Sequence, residues 1–553
     1  MSKNRIHFTN KTSFFLSILL FGFALVFYGN FFGIDLSDEG LAILSFMPEQ
    51  ELGTDFIHYQ YLIRKIFPYG LGFVMARQIH FFLIILSNCL LLFSIFKSKL
   101  NNHFEHTALL IGATTLISLG TGIQVLSYNN LNQLIITLFF ATFIQFIDKT
   151  NSKNRMYWLI SGTMLLSSMY FVRFPSFVLY LPLHFLSVLI IVGKNYKKLI
   201  KSFFVISLVY FLMISFLSTY IISFSRVIHD IELYSKISSE QTEGHGIRLV
   251  FEYFFNFLQK CILLFFTATS FLTLNQYIKN ISSVFIKRLM RLFLLGFTII
   301  MIASFPISIS SAFVFFFWLL VLSYYSHRKK TIDFTKEKKI PFAFIFISFA
   351  VASTIGSNVM IINLLLFYLS IWAIGFNLFL TKKNESLYKN SVYILVFLAV
   401  FKVIFTGFIN PHRQGSLLTP HHVYEMKSRG TILLDKEMYE YVNDIRTYLE
   451  SENQYKKPII AMSRLPGLVY LLESTMPGSI NFTDDYWKVF CENIEANTDQ
   501  KPVIIFRGNI PYDFIECLAE KEIDIEKEYR LGKTVEKGIN IYQMPTYIYL
   551  PVD

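Results

Sequence analysis

Apolar stretches long enough to cross a lipid bilayer recur through the first 408 residues of this 553-residue chain, and they leave few fold classes open. They fall near 14–32, 74–96, 107–126, 131–147, 156–172, 176–193, 202–224, 253–273, 292–306, 308–325, 341–356, 359–380 and 391–408, about thirteen in all. A helix of about twenty apolar residues spans the hydrocarbon, where each backbone polar group must be satisfied within the protein. The chain is 54% hydrophobic and 16% charged, with 61 Phe, more apolar than a water-soluble core requires. The sequence therefore predicts a polytopic α-helical membrane protein. Lys3, Arg5 and Lys11 precede the first run as in a secretion signal, but no small-residue cleavage site follows, so it reads as a retained helix. Around 249–275, Glu252 and Lys260 interrupt the pattern, and a surface-lying helix is expected before the true span.

Basic residues sort by connection. Lys97/Lys99, Lys149/Lys153/Arg155, Lys194/Lys197/Lys198/Lys201, Lys279/Lys287/Arg288/Arg291, Arg328/Lys329/Lys330/Lys336 and Lys382/Lys383/Lys389 occupy alternate loops, which the positive-inside rule assigns to the cytoplasm together with the N-terminus. Residues 1–408 hold 34 Lys and Arg against 16 Asp and Glu, a net of +18, whereas residues 409–553 hold 16 against 22, a net of −6. The overall +12 is thus an orientation signal rather than a nucleic-acid footprint, and the partners it implies are membrane lipids. Abundant Phe, Ile, Lys and Asn favour an AT-rich bacterial genome, hence a multi-pass protein of the plasma (inner) membrane.

From residue 409 the composition becomes ordinary, and an odd number of spans puts residues 409–553 outside the cytoplasm. Helical spacing over 435–450 and short buried-strand patterns at 458–462, 503–506 and 539–542 predict an extracytoplasmic α/β domain. Cys491 and Cys517 both lie in it; pairing in an oxidising compartment and two free core thiols fit equally well. No internal repeat is evident.

Polar chemistry concentrates on the outward side. Directly after the first run stands Ile34-Asp35-Leu36-Ser37-Asp38-Glu39-Gly40, and carboxylates at a membrane exit cost several kcal/mol unless they face water, a cation or a partner. Solvated helix caps are the plain alternative. The outward loop at about 33–73 is long for a connector, holding six of the acids, and the loop after the seventh run holds four more, Asp230, Glu232, Glu240 and Glu243. The first loop continues through Asp55 and His58 to an amphipathic stretch, 60–68, whose Arg64 and Lys65 alternate with apolar residues as in an interfacial helix. Arg77 follows just inside the second run, where it either snorkels to lipid or holds a phosphate. Two further outward junctions, Ser127-Tyr128-Asn129-Asn130-Leu131-Asn132 and Tyr170-Phe171-Val172-Arg173-Phe174-Pro175, are either helix caps or site walls.

Taken in order, Asp38-Glu39, Gly53-Thr54-Asp55-Phe56, Leu71-Gly72 with Arg77, Ser127-Tyr128, Arg173-Phe174-Pro175 and Leu465-Pro466-Gly467-Leu468-Val469-Tyr470-Leu471 resemble the GT-C glycosyltransferases. Among these the protein O-mannosyltransferases, the lipid A aminoarabinose transferases and their bacterial relatives are most similar. The resemblance spans the whole chain as architecture but only these short pieces as sequence. It implies a GT-C-like domain over residues 1–408, the extracytoplasmic domain over 409–553, and inverting transfer of a sugar from a polyprenyl-phosphate donor to a lipid, glycan or protein acceptor. Asp38 then serves as base, Glu39 orients it or shares a divalent metal ion with it, and Asp55, His58, Arg64, Arg77, Tyr128, Asn129 and Arg173 bind substrate. The sequence departs from relatives at His58-Tyr59-Gln60-Tyr61, where a His-Pro-Pro-Leu-type segment is common, and at Asn129-Asn130, where a second carboxylate is common.

That chemistry suits the residues. The phosphate leaves as a stable anion and needs no general acid, so one placed carboxylate base suffices, typically about 10²- to 10⁴-fold in rate. The departing charge calls for cations aimed at it. A polysaccharide polymerase or ligase, a secondary transporter and an inactive relative acting as a scaffold are the competing readings. The transporter is disfavoured because the polar groups cluster at helix ends and no Gly/Pro-broken helix pair recurs in two halves.

Overall fold

Long apolar runs fold as helices here because hydrocarbon offers the backbone no other hydrogen-bond partner. The computed structural model describes residues 9–552 except 53–57, 99–103, 121–123, 149–151, 194, 231, 233–246, 304–308, 327–338, 356–359, 410, 412–414, 479, 481–493, 495–500, 509 and 537–543. In chain order the helices are α1 (Asn10–Gly29), α2 (Asp38–Ser45), α3 (Tyr59–Ile66), α4 (Phe73–Phe96), α5 (Phe104–Leu119), α6 (Tyr128–Asp148), α7 (Ser152–Val172), α8 (Phe174–Val192), α9 (Tyr196–Tyr220), α10 (Ile247–Lys279), α11 (Val284–Ala303), α12 (Ile309–Ser326), α13 (Lys339–Ala352), α14 (Ile361–Leu378) and α15 (Glu385–Lys402). The last continues as a π-helical turn, Val403–Ile409.

Nine helices among the described residues are long and apolar enough to cross a membrane, so the protein is multi-pass. The remaining four of the thirteen expected segments also fall on helices. Two of these, Phe104–Leu119 and Ile340–Ala352, are shorter; α7 and α11 open with basic residues that lower their apolarity. The interruption expected near 249–275 is absent: α10 is one continuous helix of 33 residues, with Glu252 exposed on its surface. Aromatic rings fill the bundle interior, for example Phe139 against Phe349 at 5.2 Å and Phe140 against Phe346 at 5.1 Å. On the periphery Phe82, Phe211 and Phe397 stay exposed, as lipid-facing residues do.

Beyond residue 420 the chain turns to mixed structure. Strands β1 (His421–Met426) and β2 (Gly430–Asp435) form an antiparallel hairpin. Asp435 then caps the next helix, α16 (Lys436–Ser451), by accepting from the Met438 amide at 3.0 Å. A four-stranded sheet follows in the order β3 (Ile459–Ala461), β4 (Val503–Arg507), β6 (Thr546–Pro551), β5 (Tyr529–Val535). Strands β3 and β4 are parallel and the other pairs antiparallel, with an irregularity at Leu531/Lys533. The short helix α17 (Pro466–Leu471) follows β3, and α18 (Tyr512–Glu520) follows β4. The strand expected at 539–542 lies outside the described residues. Cys517 is disulfide-bonded, whereas Cys89 and Cys261 are free thiols; Cys491 is outside the described residues.

This sheet region closes directly on the segment between α1 and α4. Gly33 donates to the carbonyl of Leu433 at 2.7 Å, and Leu433 donates back to Phe31 at 3.2 Å, so the chain leaving α1 runs beside β2. Gln50 makes a two-way pair with the Met476 backbone, 2.8 Å in each direction. Arg429 reaches Glu49 at 2.7 Å and the carbonyls of Tyr470 and Ser474 at 2.8 and 3.0 Å. Glu473 braces the same region. Burial would raise its carboxyl, but hydrogen bonds from the Ser428 hydroxyl (2.6 Å), the Tyr455 hydroxyl (2.7 Å) and the Ser428 amide (2.7 Å) outweigh this and bring it down to about 2.

Candidate active site

The acidic stretch after α1 is itself a helix start. Asp35 is fully buried and accepts from the Ser37 amide (3.0 Å), the Ser37 hydroxyl (2.7 Å) and the Asp38 amide (3.3 Å), an Asx turn that launches α2. Asp38 therefore stands in the first helical turn, where the helix dipole favours a carboxylate. It is half-buried, in contrast to Asp35 and Glu39, which have no exposed surface.

Glu39 is the anchor of the site. Its Oε1 accepts from the Gln124 amide (2.8 Å) and from Arg77 Nε (3.3 Å); its Oε2 accepts from Arg77 Nη2 (2.5 Å) and the Asp35 amide (3.3 Å). Arg77, 2% exposed, sends Nη1 to the Phe32 carbonyl at 2.7 Å and stacks 4.1 Å from the Phe73 ring centre. A charged pair so enclosed needs its hydrogen bonds complete, and here each carboxylate oxygen has two donors. The sequence offered Arg77 to a phosphate; the fold gives its guanidinium to Glu39.

A second cation stands at the α7–α8 junction. Arg173 caps α8 from a break in the helical backbone, with Pro175 in the first turn after it. Its Nη1 donates to the Asn129 side-chain oxygen, its Nη2 to the carbonyls of Thr354 (3.3 Å) and Ile355 (3.2 Å), and the guanidinium lies 5.3 Å from the Tyr128 ring centre. Its hydrogen bonds among the described residues all go to uncharged oxygens, and its buried Nε has no partner. The connector at residues 124–127 and the first turn of α6 that follows it link the two arginines: Gln124 at the start of the connector binds Glu39, and Asn129 in the first turn of α6 binds Arg173. Within this segment Asn130 donates to the Val125 carbonyl at 2.6 Å and the Ser127 amide to the same carbonyl at 2.7 Å.

The remaining expected residues are placed as follows. His58 caps α3 and is buried, with Nε2 2.9 Å from Asp230 Oδ2; Asp230 Oδ1 is 3.1 Å from Arg226 Nε. Neither Asp230 nor Arg226 was singled out as a site residue, because 172 positions separate His58 from its partner; the only sequence signal was the acid count of the later loop. Arg64 donates from Nε to the Ser45 carbonyl at 2.7 Å, a cation at the end of α2. Asp55 lies outside the described residues. His80, one turn beyond Arg77, was not foreseen: its Nδ1 is 2.7 Å from the Gln124 carbonyl.

Among the described residues no three or more His, Cys, Asp or Glu side chains stand together as a metal site. The donor set around Glu39 does not suit a cation, since N–H groups already fill both oxygens.

These features define a multi-pass membrane protein with a half-buried carboxylate beside a sealed acid–arginine pair, at the end of the bundle covered by the sheet region. No protein family and no curated protein matches the chain. Among solved structures, ArnT from Cupriavidus metallidurans bound to undecaprenyl phosphate aligns with 97% of this chain and 98% of its own at 10% identity, with a TM-score of 0.39. The same protein in its apo state covers 98% of each chain at 10% identity, with a TM-score of 0.38.

Proposed function

We propose that this protein is a GT-C-type glycosyltransferase of the bacterial inner membrane, moving a sugar from a polyprenyl-phosphate donor to an envelope acceptor on the extracytoplasmic face. The observation that carries the reading is the contrast between two adjacent carboxylates. Glu39 is sealed by four N–H donors, while Asp38 stays half-buried in the first turn of the same helix. A fixed acid beside an accessible one supports a division of labour in which Asp38 takes the acceptor's proton and Glu39 holds the helix that presents it.

Arg173 is the better phosphate ligand of the two outer arginines. Arg77 already faces a full negative charge on Glu39, whereas Arg173 meets, among the described residues, carbonyl and amide oxygens and keeps a buried Nε to donate. Arg64, Tyr128, Asn129 and His58 remain assigned to substrate contacts, as does Asp55, which lies outside the described residues. The N-terminus is assigned to the cytoplasm and residues 409–553 to the outside by the alternation of basic loops. Reporter fusions at Asn384 and after residue 553 should give opposite signals, and equal signals would break the orientation.

The deciding experiment is Asp38→Asn, assayed in vesicles with polyprenyl-phosphate sugars alongside mass spectrometry of envelope lipids and glycans from cells with and without the gene. The amide keeps the shape and loses the base, so transfer should fall about 10²-fold or more, roughly 2.7 kcal/mol of transition-state stabilisation. Full activity in Asp38→Asn would remove Asp38 as base. Unchanged glycans with altered uptake would favour a transporter.

A further inference from the structure

His80 lies on the fourth helix, one turn deeper than Arg77, and nothing in the proposed reaction uses it. It is buried, and its Nδ1 is 2.7 Å from the carbonyl oxygen of Gln124. A carbonyl only accepts, so Nδ1 carries the proton. The amide of that same residue, Gln124, donates to Glu39 Oε1 at 2.8 Å. Gln124 opens the 124–127 connector, which runs directly into the first turn of α6, where Asn129 receives Arg173. Residue 124 is therefore gripped from two sides, by the carboxylate on its N–H and by the imidazole on its C=O. Within the segment, Asn130 and the Ser127 amide both donate to the Val125 carbonyl.

We propose that His80 is a positioning residue, holding the 124–127 connector and the start of α6 in register so that the acid pair on α2 and the cation Arg173 face the same donor. The inference rests on the glycosyl-transfer reading for its catalytic consequence, but its structural content stands apart from it. Arg77 and His80 are neighbours on one helix face: the first fixes Glu39, the second fixes the peptide that fixes Glu39. Displacing this segment would change both ends of the site together, the hydrogen bond to Glu39 and the contact between Asn129 and Arg173, although His80 touches neither.

Two substitutions separate positioning from packing. His80→Asn places an amide N–H near the position of Nδ1 and preserves the bond to Gln124 while shrinking the side chain. His80→Leu fills the space and removes the donor. Positioning predicts that His80→Leu lowers turnover tenfold or more while His80→Asn stays within about threefold of wild type; a packing role predicts the reverse order. Amide hydrogen exchange over residues 124–130 supplies a readout independent of activity. It should quicken in His80→Leu and stay near wild type in His80→Asn. If the wild-type protein transfers no sugar, the exchange comparison alone decides the inference. Equal exchange in both variants, or faster exchange in His80→Asn than in His80→Leu, would overturn it.

Discussion

The backbone nitrogen of Gly467 donates to the carbonyl of Leu36 at 2.7 Å, joining the first turn of α17 to the chain two residues before the acidic helix. The contact is backbone on backbone. A Cβ on Gly467 would fall 2.6 Å from the Leu36 Cα, and one on Gly40 would fall 2.2 Å from the Gly467 nitrogen. Neither neighbour is a side chain that can swing away. Gly467→Ala and Gly40→Ala should each lower stability by at least the ~1–3 kcal/mol of ordinary overpacking, read as a fall in thermal midpoint in detergent. An unchanged midpoint in both would mean that the two helices are not locked together.

Arg77→Ala should destabilise the fold and not only the reaction. Removing one partner of a sealed ion pair leaves the other charge buried, a loss of about 3–5 kcal/mol. Adding Glu39→Gln should recover part of it, because the stranded charge is gone. Additive losses in a double-mutant cycle would argue that the pair is not coupled.

Arg173→Gln keeps a hydrogen-bonding side chain and discards the charge. A lost charge-assisted hydrogen bond is worth about 1.5–3 kcal/mol, so affinity for a polyprenyl monophosphate should weaken roughly 10- to 100-fold. Wild-type affinity would return Arg173 to capping the carbonyls after α13.

His58 and Asp230 clasp the start of α3 to residues 224–230 with both side chains buried. Truncating either should cost more than a surface contact, and Asp230→Asn should be milder than Asp230→Ala because an amide oxygen still accepts from the imidazole. Limited proteolysis within 58–66 would report the release; equal protection in wild type and Asp230→Ala would show that the clasp does not hold α3.

Glu473 makes stability depend on acid. Its carboxyl is brought down from 4.5 to about 2 in the folded protein, so its contribution is complete above pH 4.5 and disappears as pH falls toward 2. The stability gap between wild type and Glu473→Gln should be flat from neutral pH to about 4.5 and narrow below it. A gap that widens on acidification would contradict the hydrogen-bond pattern around Ser428 and Tyr455.

Much of this architecture is legible in one dimension. Apolar runs mark the spans because hydrocarbon tolerates nothing else, and the polar and apolar residues interleaved over 60–68 mark α3 because a helix at an interface must show two faces. Asp435 announces α16 by its own chemistry as a cap. The hairpin β1–β2 was not read, since His421, His422 and Glu425 break the apolar alternation that marks a strand. In the site, residue types were readable but partners were not. Nothing in the spacing of Glu39 and Arg77, or of His58 and Asp230, says that they meet, because pairing is settled by how helices pack.

The seating of residues 31–50 against the sheet region also sets an order of assembly. Gln50 leaves the ribosome 426 residues ahead of its partner Met476. At about 5–20 residues per second, that is on the order of half a minute or more of synthesis. During that interval the acidic helix is already outside its first span but lacks Leu433, Gly467 and Met476 to rest on. The earliest-made part of the proposed site is thus finished by nearly the last-made part of the chain, and a ribosome that stalls midway leaves a bundle whose carboxylates have no lid of sheet to shape them.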